Sequence, residues 1–187
     1  MVDRLPGSAG SNQTLRAVGS SFVQLFGRDA HGRDQLVAWA FVLVQLVLLA
    51  AVFLLPAGGD WTTSGRLSNA ARVLSLIGLA VLAAGLVNLG RSATPLPLPV
   101  KDGELRSNGL YRYVRHPIYS GVMALAVGSA IPSGSIAIAA AAVALIAWLA
   151  TKARWEERRL TARYPGYSAY AARTPRFIPS WRRRARD

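Results

Sequence analysis

The sequence contains no cysteine, two histidines and nine acidic residues in a chain of 187. The lack of cysteine excludes disulfides, thiol nucleophiles and thiolate metal ligands. His31 and His116 are far apart in the sequence and carboxylates are scarce, so we expect no catalytic metal. Residues 1–34 are polar and glycine-rich, without a signal-peptide pattern. These absences favour a reaction that needs neither a thiol nor a metal ion.

Hydrophobic residues are abundant, at 52% of the chain, although the net charge is +13. The apolar residues form long runs and the charges lie between and after them, which is typical of a membrane protein. Four runs have the composition of transmembrane helices, at about residues 36–55, 73–89, 119–131 and 135–150. The sequence therefore predicts an all-α integral membrane protein with four transmembrane helices, or alternatively five helices.

The sequence predicts one membrane domain, residues 35–187, which follows a leader, residues 1–34. Apolar residues at helical spacing between positions 15 and 26 give the leader a possible interfacial helix. Pro132, Ser133 and Gly134 separate the last two runs and predict a helical hairpin, the alternative being one long bent helix. Residues 151–187 form a tail in which the last helix continues.

Basic residues are distributed unevenly among the segments that connect the spans. Twenty of the 22 lie in residues 1–35, 90–118 and 151–187, so the positive-inside rule predicts that both termini are cytoplasmic. The arginine-rich residues 181–186 are typical of an anchor to anionic lipid headgroups. Arginines beside a span are explained by headgroups, so we do not expect nucleic-acid binding.

The stretch before the third predicted span has an unusual composition. Arg115 and His116 precede Pro117, which fits the first turn of a helix, where free backbone N–H groups favour an anionic ligand group. Tyr111 and Tyr119 offer aromatic faces to a purine or a cation. The alternative is an interfacial belt of tyrosine and arginine, although such a belt does not explain the His-Pro pair.

A second constellation follows the fourth predicted span. Glu156 and Glu157 are adjacent, and Lys152 and Glu156 are spaced as an i, i+4 pair. Plain charge balancing at a cytoplasmic helix end is the alternative. Tyrosines then recur at every third position from Tyr164, which is typical of a packed amphipathic helix that ends before Pro175.

Together these elements resemble a known family. Residues 109–121, the Glu156-Glu157 pair, Tyr164-Pro165-Gly166-Tyr167 and the segment 173–179 resemble the isoprenylcysteine carboxyl methyltransferase family and its bacterial relatives, which are similar to phospholipid methyltransferases. The resemblance covers roughly residues 70–180. It implies an integral enzyme of a bacterial inner membrane that uses S-adenosylmethionine without a Rossmann domain and methylates a lipophilic acceptor, with an isoprenyl-type carboxylate favoured.

The resemblance also implies roles for individual residues. Lys152 stands where related eukaryotic enzymes have an arginine beside the acceptor carboxylate. The implied cofactor-binding residues are Tyr111, His116, Pro117, Ile118, Tyr119 and Glu156, with a backbone-contacting stretch of Gly103, Glu104, Leu105 and Arg106.

The identity of the acceptor decides whether the reaction needs a general base. A carboxylate or thiolate acceptor needs none, whereas an amine or hydroxyl acceptor does, and His116 and Glu157 are the candidates. A phospholipid amine or a small thiol is the alternative acceptor. A membrane scaffold or lipid-binding protein is the non-catalytic alternative.

Overall fold

The computed structural model describes residues 32–90 and 105–180, and these ranges contain helices and no strand. The all-α prediction is confirmed. Three of the predictions concern segments outside the described residues. These segments are the possible interfacial helix between positions 15 and 26, residues 103 and 104, and the arginine-rich residues 181–186. The elements in chain order are α1 (Gly32–Leu54), α2 (Gly65–Leu89), a 3₁₀ helix (Gly109–Arg112), α3 (Pro117–Ser133), α4 (Ile136–Arg163) and α5 (Tyr167–Arg173).

Each of the four predicted apolar runs is helical. Within the described ranges, α1, α2 and α4 are long and apolar enough to cross a membrane, whereas α3 has 17 residues and is shorter. Helix α1 begins at Gly32, inside the predicted leader, and α2 begins eight residues before the predicted run. The chain is therefore a membrane protein, while four crossings and their orientation stay predictions.

Glycines let α2 and α3 approach each other closely. A Cβ atom at Gly121 would lie 2.6 Å from the carbonyl oxygen of Gly78, and one at Gly128 would lie 2.6 Å from that of Ala71. Backbones can come this near only where no side chain intervenes. At the end of α2, the Asn88 Oδ1 atom accepts a hydrogen bond from the backbone N–H of Leu110 at 3.3 Å. The start of α3 and the 3₁₀ helix are thus fixed against α2.

A tight turn joins α3 and α4 into the predicted hairpin. Gly134 has a φ of 61°, in the left-handed region, and the side chain of Ser135 caps α4. The loop before α2 closes over this turn, because Trp61 Nε1 donates to the carbonyl oxygen of Ile131 at 3.0 Å. Asp60 Oδ2 accepts from the backbone N–H of Ile136 at 2.7 Å. The alternative of one long bent helix is wrong.

Helix α4 extends beyond its apolar run and carries charged residues with it. Its 28 residues correspond to about 42 Å, more than the hydrocarbon layer requires. Aromatic contacts hold α4 against α1, with the ring of Phe41 5.0 Å from that of Trp148 and 5.4 Å from that of Trp155. An ion pair of 2.6 Å between Arg159 and Asp34 continues this contact. The charged turns of α4 consequently lie beside the start of α1.

Candidate functional site

The candidate site lies where the start of α3, the charged turns of α4 and the C-terminal segment 174–180 meet. Pro117 begins α3, and the preceding His116 is 6% exposed. His116 Nε2 lies 3.1 Å from Glu157 Oε1, and His116 Nδ1 lies 3.9 Å from Glu156 Oε2. The imidazole stacks on Tyr119 with parallel planes and 5.2 Å between ring centroids. One buried histidine thus lies between the two adjacent glutamates.

The C-terminal segment pairs with the backbone just before α3. The N–H of Arg115 donates to the carbonyl oxygen of Pro175 at 2.9 Å, and that of His116 donates to the carbonyl oxygen of Arg176 at 3.1 Å. The expectation of free backbone N–H groups at this helix start is therefore wrong for these two residues. The C-terminal segment is instead an integral wall of the site.

Glu157 is surrounded by hydrogen-bond donors. Arg176 donates to both carboxylate oxygens, at 2.9 and 2.6 Å, His116 Nε2 donates to Oε1, and Arg115 Nε lies 3.5 Å away. Burial alone would raise the pKa of Glu157, but the hydrogen bonds from His116 and Arg176 outweigh it and lower the pKa to about 2. Glu157 is therefore a fully engaged carboxylate.

Glu156 has a different environment, although it is the next residue. Its Oε2 atom accepts a hydrogen bond from the Tyr119 hydroxyl at 2.9 Å, and its side chain is 25% exposed. Within residues 32–90 and 105–180, no lysine or arginine forms an ion pair with it. The expected i, i+4 ion pair is wrong, because Lys152 Nζ donates to Gln45 Oε1 at 2.8 Å instead.

Three tyrosines enclose the polar cluster from the side of α5. The Tyr170 hydroxyl donates to the backbone carbonyl of Tyr111 at 2.6 Å, and the rings of Tyr170 and Tyr167 meet edge to face. Burial, reinforced by the negative charge of Glu156, raises the pKa of Tyr111, and burial raises that of Tyr170 to about 12. These phenols are therefore neutral donors at physiological pH.

The structure brings together most, but not all, of the residues that the sequence implicates. His116 contacts Tyr119 and both glutamates, and Tyr119 donates to Glu156, whereas the backbone of Tyr111 is bound by Tyr170 of α5. Ile118 packs against Gly85 of α2, away from the glutamates. Leu105 and Arg106 lie in the irregular stretch before the 3₁₀ helix.

Sequence reasoning missed several residues that shape the site. The sequence indicates Arg176 only as part of a motif and Tyr167 only as part of a packed helix. Their contacts in the site depend on how the C-terminal segment folds back onto the helices. Gln45 carried a usable signal, since it is the only strongly polar residue in the first apolar run. Its partner, Lys152, is 107 positions away and could not be inferred from local spacing.

The family model for phospholipid methyltransferases matches residues 68–166, which is more than half of the chain. The chain belongs to the phospholipid methyltransferase family. The matched region runs from the start of α2 to beyond α4, and it includes His116 and both glutamates. Searches of characterised proteins and of solved structures found no significant match to the chain. Family membership and the apolar helices together describe a membrane methyltransferase.

Proposed function

We propose that this family member transfers a methyl group from S-adenosylmethionine to a lipophilic acceptor at the cytoplasmic face of a bacterial inner membrane. The favoured acceptor is an isoprenyl-type carboxylate, as in the isoprenylcysteine carboxyl methyltransferases. Both termini are cytoplasmic in this proposal, and the basic tail binds anionic headgroups. The observation that carries the proposal is Glu156, a carboxylate that forms no ion pair with a lysine or arginine in the described residues and lies next to His116 and Tyr119.

The residues present fit the chemical groups of the cofactor. Glu156 is suited to the ammonium group of the methionine part, because it carries a negative charge and no lysine or arginine in the described ranges lies within ion-pair distance of it. The Tyr167 hydroxyl is buried without a hydrogen-bond partner among the same residues, which is unfavourable unless a polar ligand pairs with it. When bound, S-adenosylmethionine supplies a methyl group already activated by its sulfonium charge.

The protein groups orient the reactants and control one proton. Because Glu157 is ionised and only accepts, His116 must donate from Nε2, and in the neutral imidazole Nδ1, on the side of Glu156, is then the acceptor. We assign Glu157 a positioning role, since its low pKa and its three partners make it a poor proton acceptor. The faces of Tyr119 and Tyr111 favour a cationic group.

The two candidate acceptors use these residues differently. A carboxylate acceptor is already a nucleophile, so it needs a positive partner, and the buried Lys152 is the candidate. A phospholipid amine must lose a proton, and Nδ1 of a neutral His116 is the atom in this cluster suited to accept it. The description of the matched family, phospholipid methyltransferase, is consistent with this second possibility, so we keep it as the alternative to the carboxylate.

Titration calorimetry with S-adenosylhomocysteine tests the cofactor assignment on the full chain in detergent micelles. We expect Glu156→Gln and His116→Ala to weaken binding by at least about tenfold, which corresponds to losing one charge-assisted hydrogen bond. Asp34→Asn is the matched control, since it removes a carboxylate that pairs with Arg159 outside the site. Equal affinities for the wild type and Glu156→Gln would contradict the proposal.

The acceptor class is tested with cofactor labelled in the methyl group and a bacterial lipid extract. A methyl ester releases its label as methanol in mild base, whereas an N-methyl group keeps it. Label that is released supports a carboxylate acceptor, and label that is retained supports the alternative of a phospholipid amine or a small thiol.

A further inference from the structure

Lys152 points the opposite way from most lysines near the end of a spanning helix. Such a lysine normally extends its ammonium group towards water. Side chains on an α-helix lean towards the N-terminus, and the N-terminus of α4 is at the hairpin turn, away from the candidate site. Lys152 follows this lean, is only 3% exposed, and reaches Gln45 on α1. The ammonium group is consequently buried between helices.

The partner of this buried ammonium group is neutral. Among the described residues, no carboxylate lies within ion-pair distance of Lys152, and Gln45 Oε1 is its hydrogen-bond acceptor. The centroid of the Tyr119 ring is 5.5 Å from Nζ, and the Tyr119 hydroxyl binds Glu156. The charge of Glu156 acts on this ammonium group only from beyond ion-pair distance. A buried cation without a directly paired anion is costly, so this position favours an anionic ligand group. It adjoins the candidate site on the side of α1.

The orientation of the Gln45 amide follows from the chemistry of its partner. An ammonium group only donates, so the carbonyl oxygen must face Lys152 and the amide nitrogen must point elsewhere. Gln45 Nε2 donates to no other group in the part of the chain that the structure describes. A partly buried amide in an apolar span therefore retains unused N–H donors beside a buried ammonium group.

We infer that Gln45 and Lys152 together bind the carboxylate of the lipophilic acceptor, and that Gln45 determines specificity for it. This inference rests on the proposed function. Gln45 Nε2 would donate to one carboxylate oxygen and Lys152 Nζ to the other. The pair would thus bind both oxygens at once, as a single arginine can and a single lysine cannot. Gln45 lies outside the matched residues 68–166, so α1 contributes this specificity separately.

Binding of a lipid-linked acid and its ester tests the pair without requiring turnover. The probes are N-acetyl-S-farnesylcysteine and its methyl ester, titrated into the full chain in detergent micelles and followed by tryptophan fluorescence. We expect the wild type to bind the acid at least tenfold more tightly than the ester. Gln45→Leu and the similarly long Gln45→Met should each weaken binding of the acid about tenfold and leave that of the ester unchanged. Arg154→Met, which removes an exposed cation from the same helix, is the control.

A second substitution separates recognition from folding. Lys152→Arg should restore the preference for the acid in Gln45→Leu, because a guanidinium group carries two parallel donors of its own. Lys152→Met should not restore it. The inference is overturned if Gln45→Leu and Gln45→Met both keep the wild-type preference, or if Lys152→Arg gives no rescue.

Titration with S-adenosylhomocysteine distinguishes failure of this inference from failure of the proposed function. If the wild type binds the cofactor analogue and both Gln45 variants keep the preference for the acid, the inference alone fails. If the wild type does not bind the analogue, the proposed function fails, while a Gln45-dependent preference would still support a lipid-carboxylate site. If the Gln45 variants weaken binding of the analogue and not of the acid, the inference is wrong.

Discussion

Replacement of Glu157 by glutamine should destabilise the attachment of the C-terminal segment to the helices. The carboxylate is 8% exposed and binds Arg176 through two hydrogen bonds, His116 through one and Arg115 through charge. Glutamine has a similar shape, but its amide group is neutral and offers one acceptor atom instead of two. The variant therefore leaves two arginines without their shared anion.

The expected loss follows from the protonation equilibrium of Glu157. Lowering its pKa from the ordinary value of 4.5 to about 2 corresponds to about 3 kcal/mol in favour of the charged form in the folded protein. Breaking a buried ion pair typically costs about 3–5 kcal/mol. Arg176 is 31% exposed and can recover some hydration, so we expect the free energy of unfolding to fall by about 2–3 kcal/mol.

The pH dependence of this loss has a defined sign. Because the pKa of Glu157 is lower in the folded protein than in the unfolded chain, its stabilisation is complete above about pH 4.5 and declines as the pH falls towards 2. The difference between the wild type and Glu157→Gln should be constant between pH 6 and 8 and should narrow below about pH 4.5.

Equilibrium unfolding in mixed micelles, followed by tryptophan fluorescence, measures both effects. The control is Arg158→Gln, the neighbouring exposed position on α4. A double-mutant cycle with Arg176→Gln should give a coupling free energy of about 1–2 kcal/mol. A Glu157→Gln variant as stable as Arg158→Gln, or a difference that widens in acid, would refute the reasoning.

Two further predictions concern packing around the site. Ser120→Ala should lower the free energy of unfolding by about 1 kcal/mol in the same assay, because Ser120 Oγ donates to the carbonyl oxygen of Phe177 at 2.7 Å. Gly121→Ala should abolish the wild-type elution peak in size-exclusion chromatography, since its Cβ would lie 2.6 Å from the Gly78 carbonyl oxygen. Gly59→Ala, whose Cβ would meet nothing within 4 Å, should elute like the wild type.

The helices were predictable because their signals are local. The apolar runs have helical length, and the Pro-Ser-Gly sequence breaks the chain where α3 gives way to α4. The packing partners were not predictable in this way. The α2–α3 contact depends on glycines that face each other across two helices, such as Gly78 and Gly121, and nothing in either segment alone identifies its partner.

The site was predictable as a set of residues and not as a network. Sequence motifs indicated His116, Tyr119 and the adjacent glutamates, and these residues do meet. The expected pairing of Lys152 with Glu156 was wrong because local spacing ignores competing partners on other helices. The Lys152 side chain leans towards the N-terminus of α4, so its ammonium group binds Gln45 on α1 and not Glu156 on the following turn of α4.

The two adjacent glutamates occupy different environments on one helix, and only Glu156 is the carboxylate that we propose binds the cofactor. Successive residues on an α-helix point about 100° apart, so Glu156 and Glu157 cannot face the same neighbours. Glu157 faces the C-terminal segment and has its charge compensated by arginines, whereas Glu156 faces Tyr119 and has no such compensation among the described residues. His116 contacts both, with Nε2 on the compensated carboxylate and Nδ1 towards the other. A ligand cation at Glu156 would therefore meet a histidine whose orientation Glu157 has already fixed.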